Sequence, residues 1–446
     1  MRRLTILWFL PFLFACAVKT GNGSGGQGGA GGSTGIGGLG GSSGTDGAGA
    51  RSGGGGARGA PSDDAGRAPD VAAIADRPNP GDGASSGGGT TYVFTTSSTG
   101  YGAPGTVASF KLDLATGALT KGPTISGRTN IFYGAFSPNK EYLFTVTEET
   151  PSAHLSSFSV DAGSGALALI NDVPTGASNA EHVSVHPDGQ WAAVAHFTGG
   201  QVTLHTILAN GTVVAPSDTK LAAAGNGPNC HQAVFDSSGS SLFVPCLGAE
   251  LVAQFRLMNN MLMPNTPATI SVGGQIRHLA FGMNEVFAYG ITEAEATLVT
   301  FTYDKVGGRL TTVGAPTQAF VTEAGGGSHV IVHPSGKFLF VSSRFDNSLV
   351  TFSINASTGA ATMASSTDDS LSYPRDFTLD PSGTYLIAGT QPNDVAAMAP
   401  NKRIDGGGMV VVFRIDQNNG TLSRIGTPTT IESGAGSVWW VGTIAF

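Results

Sequence analysis

The chain has 446 residues, of which 67 are Gly, only 12% are charged and three are Cys. Glycine is unevenly spread, since residues 21–90 hold 27 of the 67 and the sequence from Thr91 onward holds the other 40. From Thr91 onward, 16 Lys/Arg stand against 25 Asp/Glu, and this acidic balance excludes nucleic acid as a partner. No apolar run of about 18 residues follows the N-terminus, which excludes an integral membrane body.

The N-terminus has the pattern of an export signal. Two Arg precede the apolar residues 4–14, and the tetrapeptide LFAC follows at residues 13–16. This tetrapeptide resembles a bacterial lipobox, which implies a signal peptide over residues 1–15, lipidation of Cys16 and, because Ala17 follows, sorting to the outer membrane. The alternative is an ordinary secretory signal with Cys16 incidental. Either way, we expect an exported protein of the cell envelope, held at the membrane through a lipid anchor only.

Residues 16–90 cannot form a packed core, because they are rich in Gly and Ser and poor in aromatic side chains. We expect a disordered, Gly-rich tether that holds a folded domain roughly 45 Å from its anchor. The folded domain is expected over residues 91–446, which are apolar, β-branched and aromatic enough for a large core.

One phrase recurs along residues 91–446: an apolar strand, a tight turn and a second apolar strand. The turn residues are 46 to 51 positions apart, at Pro138, Pro187, Ser237, Met283, Pro334 and Pro381. Hairpin tips such as ATGALT and GSGALAL add two further strands to each unit. Four strands in about 48 residues are typical of one blade of a β-propeller, so the fold class is predicted to be all-β.

Both chain ends are needed to count the blades. Residues 91–97 match the second strand of the other units, and residues 437–446 read as an innermost strand without a following hairpin. Pairing them makes one more blade and closes the ring. We therefore predict a seven-bladed β-propeller closed by its N- and C-terminal strands, with six or eight blades as the alternative.

The repeat also predicts where ionisable residues meet. The innermost strand A of each blade starts at the same face at which strand B ends, so these positions converge on one mouth of the central channel. The polar residues at these positions are His182, His231, Arg277, His278, Ser328, His329, Arg375 and Asp376 on A, and Glu148, Glu149, His196, Glu293 and Arg344 on B. Such a concentration in a charge-poor domain indicates a functional site, although hydrogen bonds and ion pairs between blades are the alternative.

One pair in this ring has informative spacing. Arg277 starts strand A and Glu293 ends strand B of the same blade, so they should be neighbours across an antiparallel pair. Arg344 and His231 belong to the two adjacent blades. Guanidinium groups grip anions and stabilise developing oxyanions, while Glu or His moves a proton, so the set suits an anionic substrate with a carbonyl group.

At these residues the chain resembles the seven-bladed lactonase propellers, a family that includes bacterial 6-phosphogluconolactonases and fungal-type carboxymuconate lactonising enzymes. The resemblance covers residues 91–446, in phrases such as GPNCHQAVFDSSGSSLFVP, IRHLAFGMNEVFAYGITEAEA and YPRDFTLDPSGTYLIAGTQ. It implies a metal-independent lactonase without a cofactor, whose catalytic residues are His231, Arg277, Glu293 and Arg344. We expect four further mouth residues to bind substrate: His182, His278, His329 and Arg375.

The expected reaction is the opening of a sugar-derived or acidic lactone by water, or the formation of such a lactone, at the mouth of the propeller, as in carbohydrate metabolism. In this hypothesis Arg277 and Arg344 hold the lactone, Glu293 activates water and His231 polarises the ester carbonyl. Because we expect the protein to be exported, a phosphorylated sugar lactone is a less suitable substrate than another lactone. An insertion around 395–408 is expected on the mouth face, where it could cover the site or narrow its specificity. We expect a monomer with a small-molecule lactone as its partner. The alternatives are a non-catalytic, surface-tethered propeller that binds a ligand or protein, and a structural repeat protein.

Two other features have simpler interpretations. Cys230 and Cys246 start A and end B of one blade, which permits a disulfide in an oxidising compartment, while two buried thiols are the alternative. His186 and His333 precede turn prolines and are interpreted as turn residues. The pair Trp439-Trp440 is interpreted as core packing at the ring closure.

Overall fold

The structure is a computed structural model that describes residues 89–98, 102–320, 325–391, 408–431 and 436–446. The predicted signal peptide (1–15), Cys16, nearly all of the predicted linker (16–90) and the insertion around 395–408, apart from its last residue, lie outside the described residues. The domain boundaries proposed at the N-terminus therefore stay predictions.

The repeats fold as antiparallel sheets, as the alternation of strands and tight turns predicts. The described residues form 28 strands. They are β1 (Thr91–Ser98), β2 (Pro104–Leu112), β3 (Leu119–Thr129), β4 (Ile131–Phe136), β5 (Tyr142–Thr147), β6 (His154–Val160), β7 (Leu167–Pro174), β8 (Ala180–Val185), β9 (Trp191–His196), β10 (Gln201–Thr206), β11 (Asp218–Leu221), β12 (Val234–Phe235), β13 (Ser241–Cys246), β14 (Leu251–Met258), β15 (Met261–Ser271), β16 (Ile276–Phe281), β17 (Phe287–Thr292), β18 (Thr297–Asp304), β19 (Arg309–Gln318), β20 (Gly327–Val332), β21 (Phe338–Ser343), β22 (Ser348–Ile354), β23 (Ala361–Thr367), β24 (Asp376–Leu379), β25 (Tyr385–Gly389), β26 (Met409–Ile415), β27 (Leu422–Thr430) and β28 (Ser437–Ala445).

These strands make seven four-stranded sheets within the described part of the chain. Six sheets take four consecutive strands each, beginning at β4, β8, β12, β16, β20 and β24. The seventh has the order β28-β1-β2-β3, in which β1 and β28 pair antiparallel from Thr91↔Ala445 to Ser98↔Ser437. The predicted seven-bladed ring closed by both chain ends is confirmed.

Burial decreases from the inner to the outer strand of each blade. Every residue of β4 is buried, whereas β7 of the same blade has none that is fully buried. The inner strands are covered on both faces by neighbouring blades, and apolar clusters fill the spaces between blades. Removing this apolar surface from water stabilises the ring and fixes the inner strands side by side around the channel.

Two lesser predictions are also confirmed. His186 and His333 are turn residues, since the ring Nδ1 of each accepts a hydrogen bond from the backbone N–H two residues later, at 3.1 Å. Trp440 is only 3% exposed and packs against Phe136, while Trp439 Nε1 donates to Ser98 Oγ at 2.8 Å across the closure. Within the described ranges, no helix has the length and apolar composition needed to cross a membrane.

Candidate active site

The innermost strands reach the mouth through irregularities in their pairing. The register with strand B shifts near the start of β4, β8, β16 and β20. A residue at such a bulge lacks a regular partner across the sheet, and its side chain is aimed differently from those of the ladder. Two charged residues fall at these shifts: Glu181 on β8 and Arg277 on β16.

The residues proposed as catalytic from the sequence come together at the mouth. Arg277 Nε lies 3.1 Å from Glu293 Oε2, and Arg344 Nη2 lies 2.7 Å from the same oxygen. The predicted neighbour relation of Arg277 and Glu293 is therefore present. His231 is near enough that Arg277, Glu293 and Arg344 all influence its pKa. The four side chains form one electrostatic cluster.

Further contacts hold the two guanidinium groups. Arg277 Nη1 donates to the backbone oxygen of Ser328 and, at 2.9 Å, to its hydroxyl. Arg344 donates to the carbonyl of Gly326 both from its guanidinium Nε, at 3.4 Å, and from its backbone N–H, at 2.9 Å. Gly326 has φ 81°, and a Cβ there would lie 2.6 Å from the ring of Phe345, so this close approach requires glycine. Arg344 also lies over the ring of Tyr373, 5.5 Å from its centroid.

The close packing of these charged side chains shifts their pKa values in different directions. Burial raises the pKa of Glu293, but Arg344 and Arg277 outweigh it and lower that pKa to about 2. Burial lowers the pKa of Arg277 to about 9, with Arg375 and Arg344 adding to the effect. Burial opposes the charge of Arg344 too, but Glu293 raises its pKa above the ordinary value. Glu293 is therefore an anion held between two cations at neutral pH.

Glu181 is a member of this site that the sequence analysis missed. Its Oε1 lies 2.9 Å from His231 Nε2 and 2.8 Å from Arg375 Nη2, and its side chain is 3% exposed. A signal was available, because Glu181 stands six positions before Pro187, as His231, Arg277 and Arg375 stand before their own turn residues.

The predicted substrate-binding residues divide into two groups. Arg375 lies in the same layer as Glu181, with its guanidinium 4.7 Å from the ring centroid of Phe132. The imidazoles of His182, His278 and His329 lie in the layer below and are at most 2% exposed. In this arrangement the three imidazoles face one another and the ring of Tyr133 rather than the mouth.

His231 is joined to this lower layer. His278 Nε2 lies 3.0 Å from His231 Nδ1, and His278 Nδ1 lies 2.6 Å from His329 Nδ1. Burial lowers the pKa of His231 and of His278 well below the ordinary value, and Arg277 adds to both effects. Both imidazoles are therefore neutral at physiological pH.

Two other residues of the predicted ring make contacts of their own. Glu149 accepts hydrogen bonds from Thr129 and Thr147, at 2.5 and 2.9 Å. His196 bonds to Thr203 and to the carbonyl oxygen of Ser178, and burial lowers its pKa to about 4. These hydrogen bonds connect neighbouring strands and loops. For Glu149 and His196, the structure therefore favours the alternative given above, a structural role instead of a role in the functional site.

A disulfide lies immediately behind His231. The structure joins Cys230 to Cys246, the last residue of β13. The innermost strand is short here, because β12 begins only at Val234 and because Pro245 on β13 has no N–H to donate to the facing segment. His231 donates its own N–H to the carbonyl of Pro245 at 3.0 Å. The disulfide thus fastens a segment that the sheet holds incompletely.

No three His, Cys, Asp or Glu side chains come together as a metal site in the described ranges. Among the described residues, these ion pairs join three guanidiniums, two carboxylates and one imidazole, from Arg277, Arg344, Arg375, Glu181, Glu293 and His231. With both carboxylates ionised they carry a net positive charge, in a chain whose formal net charge is −8. Such a site attracts an anion and stabilises an oxyanion.

The family model described as a seven-bladed β-propeller lactonase matches residues 90–440. The chain therefore belongs to the lactonase family of seven-bladed β-propellers. It is an enzyme of the class that hydrolyses lactone esters.

Similar proteins agree with this assignment. The 6-phosphogluconolactonase of Bacillus subtilis is 24% identical over 336 residues, which cover 73% of this chain and 91% of that protein. The 6-phosphogluconolactonase of Formosa agariphila is 27% identical over 308 residues, covering 65% and 82%. The solved structure of the periplasmic gluconolactonase of Pseudomonas aeruginosa has a TM-score of 0.68 at 23% identity and covers 80% of this chain and 99% of its own. This last likeness shows the shared fold.

Proposed function

We propose that the protein hydrolyses a lactone that carries an anionic group, either a sugar-derived lactone or another acidic lactone, without a metal ion or other cofactor. The observation that carries this proposal is the enclosed cluster in which Arg277 and Arg344 share one oxygen of Glu293. Guanidinium groups that already hold a carboxylate are arranged to hold a substrate carboxylate or phosphate.

In the proposed reaction, water adds to the ester carbonyl and the bond between the carbonyl carbon and the ring oxygen breaks. Arg277 and Arg344 stabilise the oxyanion that forms. The two ring nitrogens of His231 are bonded to Glu181 and His278, so His231 supports the site beside the guanidiniums rather than polarising the carbonyl as the sequence suggested. Glu293 accepts the proton of the attacking water and returns it to the ring oxygen, which leaves as a hydroxyl group. The site is unchanged after one turnover, and the product is a hydroxy acid.

Glu293 fits the role of base for two reasons: its side chain is more exposed than those of its two partners, and its pKa is expected to change when substrate binds. Its side chain is 24% exposed, compared with 2% for Arg277 and 7% for Arg344. The two guanidiniums lower the pKa of Glu293 in the free enzyme. When a substrate anion takes over part of their charge, that pKa rises toward its ordinary value and the carboxylate becomes a stronger base.

A panel of lactones tests this function. We expect purified protein to hydrolyse lactones that bear a carboxylate or phosphate with a higher kcat/KM than an uncharged sugar lactone of the same ring size, measured by titrating the acid released. Faster turnover of the uncharged lactone contradicts the proposed substrate class. Absence of turnover across the panel contradicts the proposed reaction, and ligand-induced thermal stabilisation without turnover favours the non-catalytic binding propeller.

We also propose that the enzyme is an exported monomer, anchored to the outer membrane through Cys16. Support comes from the sequence of residues 1–16 and from the structural likeness to a periplasmic gluconolactonase. Metabolic labelling with a radioactive fatty acid should mark the wild-type protein and not Cys16→Ser. Equal labelling of both proteins contradicts the anchor.

A further inference from the structure

Glu181 has the contacts of a functional carboxylate, although no role follows for it from the proposed reaction. Its Oε1 serves two partners, His231 Nε2 at 2.9 Å and Arg375 Nη2 at 2.8 Å, which leaves Oε2 outside both ion pairs. A buried carboxylate is costly unless it is paired and used. The register shift that places Glu181 on β8 is of the same kind as the shift that places Arg277 on β16.

The bond to Glu181 determines which nitrogen of His231 carries the proton. The guanidinium of Arg375, 2.8 Å from Oε1, favours the ionised form of Glu181 against the effect of burial. An ionised carboxylate only accepts hydrogen bonds, so His231 presents Nε2–H to it. Neutral His231 then accepts at Nδ1 from His278 Nε2–H, at 3.0 Å. His278 in turn accepts at Nδ1 from His329 Nδ1–H, at 2.6 Å. Glu181 thereby sets the direction of the bonds along three buried imidazoles, and Asp376 Oδ1, 3.6 Å from His329 Nδ1, lies at the far end of the chain and favours the same direction.

Glu181 and Glu293 are held in different electrostatic states. Glu293 pairs with two guanidiniums through one oxygen, whereas Glu181 pairs with one guanidinium and one neutral imidazole. Burial raises the pKa of Glu181, against the opposing effect of Arg375 and Arg277, while the pKa of Glu293 is lowered. Carboxylates whose pKa values are separated in this way take different roles in one site.

We propose that Glu181 is a positioning residue for lactone hydrolysis, which holds His231 in the Nε2–H tautomer through a carboxylate–imidazole chain that continues to His278 and His329. The hydrogen bonds of this chain can run in two directions, because a proton on Glu181 would reverse each bond along it. The charged and titratable groups around His231 and Glu181 are Glu148, Arg277, His278, Glu293, Arg344 and Arg375.

The test compares Glu181→Gln with Arg375→Gln in the full-length protein. Glu181→Gln removes the charge that stabilises a proton on His231, so the acid limb of the kcat/KM profile should move to lower pH and kcat should fall at least about tenfold. Arg375→Gln removes a cation that lowers the pKa of both Glu181 and His231, so the limb should move to higher pH. Glu141→Gln, in an exposed turn between β4 and β5, is the matched control and should leave the profile unchanged.

Opposite shifts of the limb in the two variants support the proposal, and equal or absent shifts overturn it, because a purely structural role lowers activity without moving the profile. The activity readout rests on the proposed function, so a second measurement is independent of it. Nitrogen-15 NMR of the imidazoles should show the Nε2–H form of His231 at neutral pH and a mixture of tautomers in Glu181→Gln. The Nδ1–H form of His231 in the wild-type protein overturns the proposal even if no lactone is hydrolysed.

Discussion

The mouth of the propeller has two arcs built on the same strand positions. In five blades the two residues that enter the channel on the innermost strand are mostly polar, as in the pairs Glu181-His182, Arg277-His278 and Arg375-Asp376. In the other two blades the equivalent residues are aromatic, Phe132-Tyr133 on β4 and Trp439-Trp440 on β28. The backbone of one repeat thus serves two kinds of surface, which we name the polar arc and the aromatic arc.

The aromatic arc supports the polar arc from one side. Phe132 and Trp439 stack with ring centroids 5.0 Å apart. The guanidinium of Arg375 lies 4.7 Å from the ring centroid of Phe132 and 5.3 Å from that of Trp439. Aromatic rings stabilise a cation without compensating its charge, so these contacts leave the guanidinium of Arg375 able to form its ion pair with Glu181. The comparison teaches that the two arcs should respond differently to substitution, the polar arc in activity and the aromatic arc in stability.

The largest expected effect comes from the polar arc. Glu293→Gln should lower kcat/KM about a thousandfold, since it removes the proposed base. It also leaves Arg277 and Arg344 without their shared carboxylate, so the free energy of unfolding should fall by about 3 kcal/mol. Steady-state rates normalised to folded protein separate the two effects. Activity within tenfold of that of the control Glu141→Gln contradicts the role of Glu293.

Substitution in the aromatic arc should give the converse result. Trp440→Ala removes a side chain packed against Phe136 and Tyr133, and the free energy of unfolding should fall by about 3–5 kcal/mol. Because Trp440 lies outside the polar cluster, kcat per folded molecule should stay within about threefold of wild type. Urea unfolding together with rates at low temperature measures both quantities. A large loss of kcat with unchanged stability would contradict the division of roles between the two arcs.

Breaking the disulfide beside His231 shows how much this bond contributes to the stability and activity of the polar arc. Breaking Cys230–Cys246 should lower the free energy of unfolding by about 3 kcal/mol, as expected for a loop of about 15 residues. It should also lower kcat several-fold, because the neighbouring segment of strand A loses its fastening to Cys246. A phosphine reductant should reduce the activity of the wild-type protein and leave Cys230→Ala/Cys246→Ala unaffected. Equal loss in both contradicts a positioning role for the bond.

The smallest expected effect is a difference in acid stability. The pKa of Glu293 is lowered to about 2 in the folded chain, so its stabilising contribution is complete above the unfolded value near 4.5 and is lost as the pH falls toward 2. The stability difference between wild type and Glu293→Gln should therefore shrink by about 2–3 kcal/mol over that range. Urea titrations at a series of pH values measure it. A difference that stays constant with pH contradicts the lowered pKa.

The spacing of the turn residues was enough to predict the fold. A propeller blade is a local unit, and its four strands are consecutive in six of the seven blades, so period and turn chemistry carry the information. The seventh blade was predictable because residues 91–97 and 437–446 each lacked the partner strand that the other supplies. The spacing of 16 residues also predicted that Arg277 and Glu293 are neighbours, because cross-strand proximity follows from hairpin length.

The sequence by itself therefore determined the blades, their closure and the face on which ionisable side chains gather, since each depends on contacts between residues close in the repeat. Only the tertiary structure decided how those side chains divide. It placed Glu181 against His231 and Arg375, which start the innermost strands of other blades, and it placed His278 and His329 beneath His231. The physical reason is that bulges at the strand starts and packing between blades fix the direction and depth of each side chain. The spacing of residues can place a side chain such as Glu181 at the mouth, but it does not show which side chains of other blades it contacts.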